Sequence, residues 1–282
     1  MDRRLIINAD DFGLCEGVNR AVVQAHTRGV LTSATIMVNM PGARDAVELA
    51  RGLASLGVGV HLNLTEGQPV STDVAVSCLV NADGCFAHRP AKLALLSVAR
   101  SEVRNAIGAE FAAQIQWVID RGLKPTHIDS HKHIHCWPGI FPIVCDLARR
   151  FEIHAIRFAY EPKRVCRASW PAPGEGGKRR AGIVRAMARI NRLQNPSFFK
   201  TDMLLGIAHT SRIDENLFRA IALERTFATV EVMTHPGFAE GLAREKTRLV
   251  GERKAELEAL CSEKTRQYFR DGGIELVHYG QL

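Results

Sequence analysis

The chain has 282 residues, 46% hydrophobic and 24% charged, which suits an ordinary folded enzyme of one large α/β domain or two smaller ones. A chain of this length buries enough surface to stand without disulfides, so its seven cysteines, odd in number and without a Cys-x-x-Cys pair, read as free thiols in a reducing compartment. The net charge of +7 is concentrated in residues 163–200, where ten Lys/Arg face one acid (Glu175), so this segment carries +9 and the remainder about −2.

The N-terminus carries Arg3 and Arg4 but only three apolar residues before Asn8, so it does not read as a signal peptide. No apolar run approaches the roughly 20 residues of a membrane span. The expected location is cytoplasmic, with a peripheral contact at the inner membrane as a further reading of the basic segment.

Short apolar, β-branched runs recur along the chain: Leu5–Asn8, Ala34–Asn39, Val58–Leu64, Thr126–Asp129, Ala155–Phe158, Met203–Ile207, Ala228–Met233 and Ile274–Tyr279. Stretches with helical spacing separate most of them: Gly17–Arg28, Ala43–Leu53, Val103–Arg121, Ile140–Phe151, Asp214–Leu223 and Ala243–Cys261. Strands alternating with helices predict parallel βαβ units, and seven to eight of them in this length fit a distorted TIM-like (β/α) barrel over residues 1–282 as a single domain. An open doubly wound sheet is the competing architecture, weakened by the lack of a glycine-rich phosphate loop after the first strand.

In a barrel, the site lies where strands end. The polar residues at those ends are Asp10 and Asp11, Asn39, His61 and Asn63, His127, Asp129 and His131, Arg157, and His235. Asp10 and Asp11 are adjacent, and strand side chains alternate faces, so both can serve one site only if the strand breaks there. Two crowded carboxylates also repel unless a cation or a proton lies between them.

His61 shares a strand face with Asn63 and is flanked by Gly57 and Gly59; a satisfied core histidine and a ligand both remain open. In His127–His135 the polar residues share a parity. One extended strand would put the outer two about 26 Å apart at roughly 3.3 Å per residue, so the strand must end near Asp129 and a turn must carry His131 and His133 over the pocket. Trp137-Pro138 reads as the start of the next helix, with His135 at its edge. His235, before Pro236-Gly237, is placed for a general acid, and Glu231 either orients it or is a buried structural carboxylate.

Asn8–Gly13, His61-Leu62-Asn63-Leu64-Thr65-Glu66-Gly67, His127–His133 and His235-Pro236-Gly237, in this order and followed by Ile274–Tyr279, resemble the YdjC-like carbohydrate deacetylase family over nearly the whole chain. That family includes a branch associated with hopanoid biosynthesis (the HpnK type), and it is similar to the NodB-type polysaccharide deacetylases. The resemblance implies a barrel, a divalent cation held by Asp11, His61 and His127, Asp10 as base and His235 as acid. Asn8, Asn63, Asp129, His131, Arg157 and Glu231 become supporting or substrate-binding groups. Ligand type leaves Zn²⁺ open, and the resemblance favours Mg²⁺.

The implied substrate is an N-acetylated amino sugar, as a chitooligosaccharide or a sugar-linked lipid. Another barrel amidohydrolase or phosphoesterase and a non-catalytic sugar-binding protein are the rivals. Acceptor choice is expected to lie in Gln68–Arg104 and in the basic segment. Within the latter, Pro171–Gly177 reads as a breaker and 181–193 as an amphipathic helix. Its apolar half holds Ile183, Val184, Met187, Ile190 and Leu193, opposite Arg185, Arg189 and Arg192. Such a helix packs on the barrel, mediates a homodimer or touches an anionic membrane. The segment lacks interleaved aromatics, so no nucleic-acid partner is expected.

Overall fold

A computed structural model describes residues 3–163, 172, 175–242 and 249–282. Seven strands form one sheet: β1 (Arg3–Phe12), β2 (Ser33–Ile36), β3 (Gly57–Leu62), β4 (Ile128–Ser130), β5 (Met203–Leu205), β6 (Thr229–Thr234) and β7 (Ile274–Leu276). The order is β4-β3-β2-β1-β6-β5, with β7 against the start of β1, and every pairing is parallel. β1 and β6 are buried along nearly their whole lengths, so the polar side chains Asn8, Asp10 and Asp11 of β1 and Glu231 of β6 are buried with them.

The helices are α1 (Glu16–Arg28), α2 (Ala43–Arg51), α3 (Pro90–Ala99), α4 (Ser101–Ile119), α5 (Phe141–Arg150), α6 (Glu175–Gln194), α7 (Glu215–Leu223), α8 (Gly251–Cys261) and α9 (Glu263–Asp271). The expected helix over Ala243–Cys261 is observed from Gly251; residues 243–248 lie outside the described residues, as does most of Pro171–Gly174.

The curled sheet is an incomplete barrel. The run expected as a strand at Ala155–Phe158 makes only one parallel bridge, Ile128 to Ile156. It nevertheless spans the gap between β4 and β5: the Arg157 amide donates to the Ile128 carbonyl (2.9 Å), and the Leu204 amide donates to the Tyr160 carbonyl (2.9 Å). An irregular segment closing the ring places Arg157 inside it.

Two local breaks aim the site residues. β1 shifts register between Ala9 and Phe12, and Asp11 sits at φ 66°. A bulge with a left-handed residue turns the second carboxylate back toward the first one's side, and aspartate tolerates that conformation better than most residues. After β4, Lys132 and His133 are also left-handed (φ 56° and 54°), coiling 131–136 into a tight turn. Trp137-Pro138 belongs to the link that follows, and α5 begins only at Phe141, with Pro142 in its first turn.

Candidate metal centre and catalytic cleft

Asp11, His61 and His131 bring one ligand atom each within 4.8 Å of the others. Asp11 Oδ1 lies 3.1 Å from His131 Nδ1 and 3.5 Å from His61 Nε2. The far nitrogen of each ring meets a carboxylate: His61 Nδ1 is 2.7 Å from Asp129 Oδ1, and His131 Nε2 is 3.1 Å from Glu66 Oε1. Carboxylates behind both imidazoles would fix the tautomers that present lone pairs to an ion between them.

His127 was expected as the third ligand and does not join this group. It precedes β4, three residues before the strand end, and its ring stacks on Tyr279 at 4.0 Å. Its Nδ1 lies 3.0 Å from Thr126 Oγ1. A Cβ on Gly59 would fall 2.6 Å from this ring, so that glycine is explained by the histidine rather than by a ligand. Burial pushes His127 well below the ordinary imidazole range, with Arg157 adding to it. His131, expected as a supporting group, stands instead with Asp11 and His61, because the left-handed turn after it swings the chain over the cleft. Mg²⁺ and Zn²⁺ titration calorimetry checks this exchange. Glu66→Gln is expected to weaken binding about 10–100-fold and His131→Gln to weaken it more, whereas His127→Gln leaves it unchanged.

The second grouping, Asp10 with His61 and Asp129, already has a cation. Arg157 is fully buried, and its guanidinium contacts Asp10 through both terminal nitrogens (2.7 and 2.6 Å), Asp129 Oδ2 (2.7 Å) and Glu231 Oε1 (2.9 Å from Nε). Asn8 Nδ2 also donates to Asp10 Oδ1 (2.9 Å). Burial alone would raise the Asp10 carboxyl, but Arg157 overrides it and holds it well below the usual carboxylate range. Asp11 is likewise depressed against its burial by Arg253, whose Nη2 lies 2.5 Å from Oδ2, and by His131.

Acidic groups outnumber basic ones among the buried side chains here. Asp10, Asp11 and Asp129 face two buried guanidiniums (Arg157, Arg253), and burial raises a fourth buried carboxyl, Glu231, above the ordinary carboxylate range. Burial would favour neutral imidazoles, yet Asp129 pushes His61 up to about 10, and Asp11 and Glu66 raise His131. Those two protons occupy the electrostatic role a divalent ion would take, so the donor set fits such an ion.

His235 ends β6 across the same cleft. Glu231, expected as its orienting partner, instead bonds Arg157 and the Tyr279 hydroxyl. The carboxylate near His235 is Glu256 of α8: its Oε2 accepts the His235 amide (2.5 Å) and lies 4.0 Å from Nδ1. Arg253 and Glu256, three apart on one helix face, therefore serve Asp11 and His235 respectively. Asn63 does not face the ligands. It donates to Asn39 Oδ1 and the Glu66 carbonyl, ordering the loop that carries Glu66.

The cleft over these residues has a volume of about 790 Å³, within the range of ligand sites. Asp10, His61, His131 and His235 lie in its lining, Trp137 and Met233 form part of an apolar wall, and Arg89 and Arg180 come from α3's N-terminal edge and α6.

The fold is a curled parallel α/β half-barrel, with a buried Asp-His-His group that could hold a metal ion beside an Arg-held carboxylate where its strands end. Residues 4–271 match the family model described as YdjC-like protein, and the chain belongs to that family. Carbohydrate deacetylases from Brevibacillus brevis (34% identical, 99% of both chains) and Vibrio cholerae (32%, 99% of this chain and 96% of that one) are full-length relatives. A crystal structure from Enterococcus faecalis V583, with a provisional cellobiose-phosphate cleavage description, superposes with a TM-score of 0.77 at 26% identity, over 100% of this chain and 99% of that one.

Proposed function

We propose that the protein is a metal-dependent carbohydrate deacetylase that hydrolyses the N-acetyl group of an amino sugar. The observation that carries this reading is Asp10, clamped by Arg157 beside the converging Asp11, His61 and His131, with His235 on the same cleft. The full-length carbohydrate deacetylase relatives support the enzyme class.

Asp11 Oδ1, His61 Nε2 and His131 Nδ1 would hold the ion. A divalent cation so bound would polarise the acetyl carbonyl and acidify a water at neutral pH, and Mg²⁺ is the favoured occupant. Asp10 accepts the water's proton. Its depressed basicity suits a water already acidified, while Arg157 holds both of its oxygens in place. Asp129 accepts from His61, bonds Arg157 and so ties the base to the ligand set. His235 donates a proton to the departing amine, which would otherwise leave as an unstable anion. The apolar wall at Trp137 and Met233 offers a sugar ring a dry face.

Acetate release from chitobiose, longer chitin oligomers and an N-acetylglucosamine-linked lipid of the hopanoid type, after EDTA treatment and add-back of Mg²⁺ or Zn²⁺, tests the reading and its substrate. Activity is expected to vanish on chelation and return with metal, and Asp10→Asn is expected to lower kcat about 10²–10⁴-fold. Undiminished acetate release by the chelated enzyme or by Asp10→Asn would sink the mechanism. Metal-dependent turnover of p-nitrophenyl phosphate alone would favour a phosphoesterase.

A further inference from the structure

Two helices contribute to the cleft lining, and both expose apolar side chains among cations. α3 supplies Pro90 and Ala91 to the cleft, with Arg89 just before it; α6 supplies Gly176, Gly177, Arg180, Ile183 and Val184. Seven large hydrophobic side chains are exposed among the described residues, and five belong to these helices: Leu95 (69%), Val98 (63%), Ile183 (46%), Ile190 (49%) and Leu193 (86%). Of the five, Ile183 lines the cleft itself, and the other four lie on the two helices that border it, which is more than the scatter of single apolar residues found on any surface.

The wheel of α6 differs from its sequence expectation. Val184 and Met187 are buried with Ala181, Ala188 and Asn191, whereas Ile183, Ile190 and Leu193 point outward with Ala186, at spacings of three and four. Arg185, Arg189 and Arg192 do not form the outer charged face. Arg185 donates to the Glu161 carbonyl, Arg189 to the Tyr160 hydroxyl, and Arg192 stacks over Phe158. The helix is thus amphipathic against the barrel and carries a second apolar stripe away from it. On α3, Ala91, Leu95 and Val98 form the matching exposed stripe, with Lys92 beside it.

Charge identifies what covers this face. Arg89, Lys92 and Arg100 are exposed at and along α3, and Lys178, Arg179 and Arg180 are exposed near the start of α6, whose one acid is Glu175. A second copy docked face to face would oppose cation to cation. A nucleic acid would leave the five apolar side chains without a partner. An anionic bilayer satisfies both features, with apolar side chains at the acyl boundary and cations at the headgroups. We propose that α3 and α6 form a docking face for an anionic membrane surface, with the cleft mouth between them turned toward the lipid headgroups. Resting on the proposed deacetylation, this makes a membrane-linked amino sugar the natural substrate class.

Co-sedimentation with phosphatidylglycerol/phosphatidylethanolamine vesicles and with phosphatidylcholine vesicles tests the face. The full chain is expected to pellet with the anionic vesicles, to be released by high salt, and to bind the neutral vesicles about tenfold or more weakly. The variant Leu95→Gln/Val98→Gln/Ile190→Gln/Leu193→Gln, which spares the cleft lining, and the charge variant Lys92→Glu/Arg179→Glu are each expected to lose about tenfold in partitioning. Both should keep wild-type acetate release from soluble acetylated chitobiose, which separates a failed docking face from a failed deacetylase. Equal binding to both vesicle types, or wild-type partitioning by the apolar variant, overturns the proposal. So does a wild-type dimer that the apolar variant dissociates, because the face would then belong to a second copy.

Discussion

Arg157→Met is expected to lower folding stability by about 3–5 kcal/mol and to abolish measurable acetate release. Arg157 is the counter-charge shared by Asp10, Asp129 and Glu231, all buried. Removing it leaves three carboxyl groups in a dry interior with too few partners, which is far costlier than losing a surface ion pair. The catalytic loss has a separate origin, since Asp10 no longer has both oxygens held and its pKa drifts back up with burial. Arg157→Lys should recover part of the stability but little activity, because one ammonium cannot reproduce a planar fork spread over three carboxylates.

The pH dependence follows from the direction of the Asp10 shift. A carboxyl depressed in the fold stabilises fully above its ordinary pKa of about 4, and that stabilisation is lost as pH falls toward the folded value. Urea unfolding from pH 7 down to pH 3 should therefore show a steeper acid loss in the wild type than in Arg157→Met. Equal stability of the two proteins at pH 7 would show that Arg157 is not the hub of this network.

Legibility in the sequence followed the range of the forces involved. β1, β3 and β6 were readable because short apolar, β-branched stretches (Leu5–Ile7, Val58 and Val60, Val230 and Val232) dominate them, and the parallel barrel follows from strands that alternate with helices. Helix α3 was not readable: with Leu95 and Val98 outward and Leu93 inward, it is apolar on both sides, so the 3.6-residue contrast is missing.

The Asp10-Asp11 pair was legible as a contradiction in strand geometry, and the bulge with left-handed Asp11 resolves it. That His131 rather than His127 joins Asp11 and His61 was not legible. It depends on Lys132 and His133 adopting positive φ, which neither residue type advertises. Arg253 and Glu256 were hidden for a different reason. Their spacing signals only one helix face, and what that face meets is decided by how α8 packs near the ends of β1 and β6. Glu66 stood in plain view within its motif, but its partner His131 lies 65 residues away.

Glu256→Gln is expected to remove the alkaline limb of the kcat profile and to lower kcat about 10²-fold. Burial lowers His235 to about 4 and raises Glu256 to about 8, and among the described residues neither His235 Nδ1 nor Glu256 Oε1 finds a hydrogen-bond partner. Near neutral pH the proton shared by this pair therefore rests on the carboxyl, not on the ring. In the proposed mechanism His235 would give up its Nε2 proton as the amine departs, and the carboxyl would refill the ring through Nδ1 after a small rotation across the present 4.0 Å. Glu256 must be protonated to do this, so activity persists below its folded pKa and falls as pH rises through about 8. An amide at this position keeps the hydrogen bond from the His235 backbone but has no proton to supply. The limb disappears, and the remaining rate reflects proton delivery by water. Glu256→Asp tests the reach of the group: a shorter carboxyl should retain an alkaline limb at reduced kcat, with KM little changed. An unaltered limb in Glu256→Gln would assign that ionisation to another group and leave His235 to protonate the amine alone.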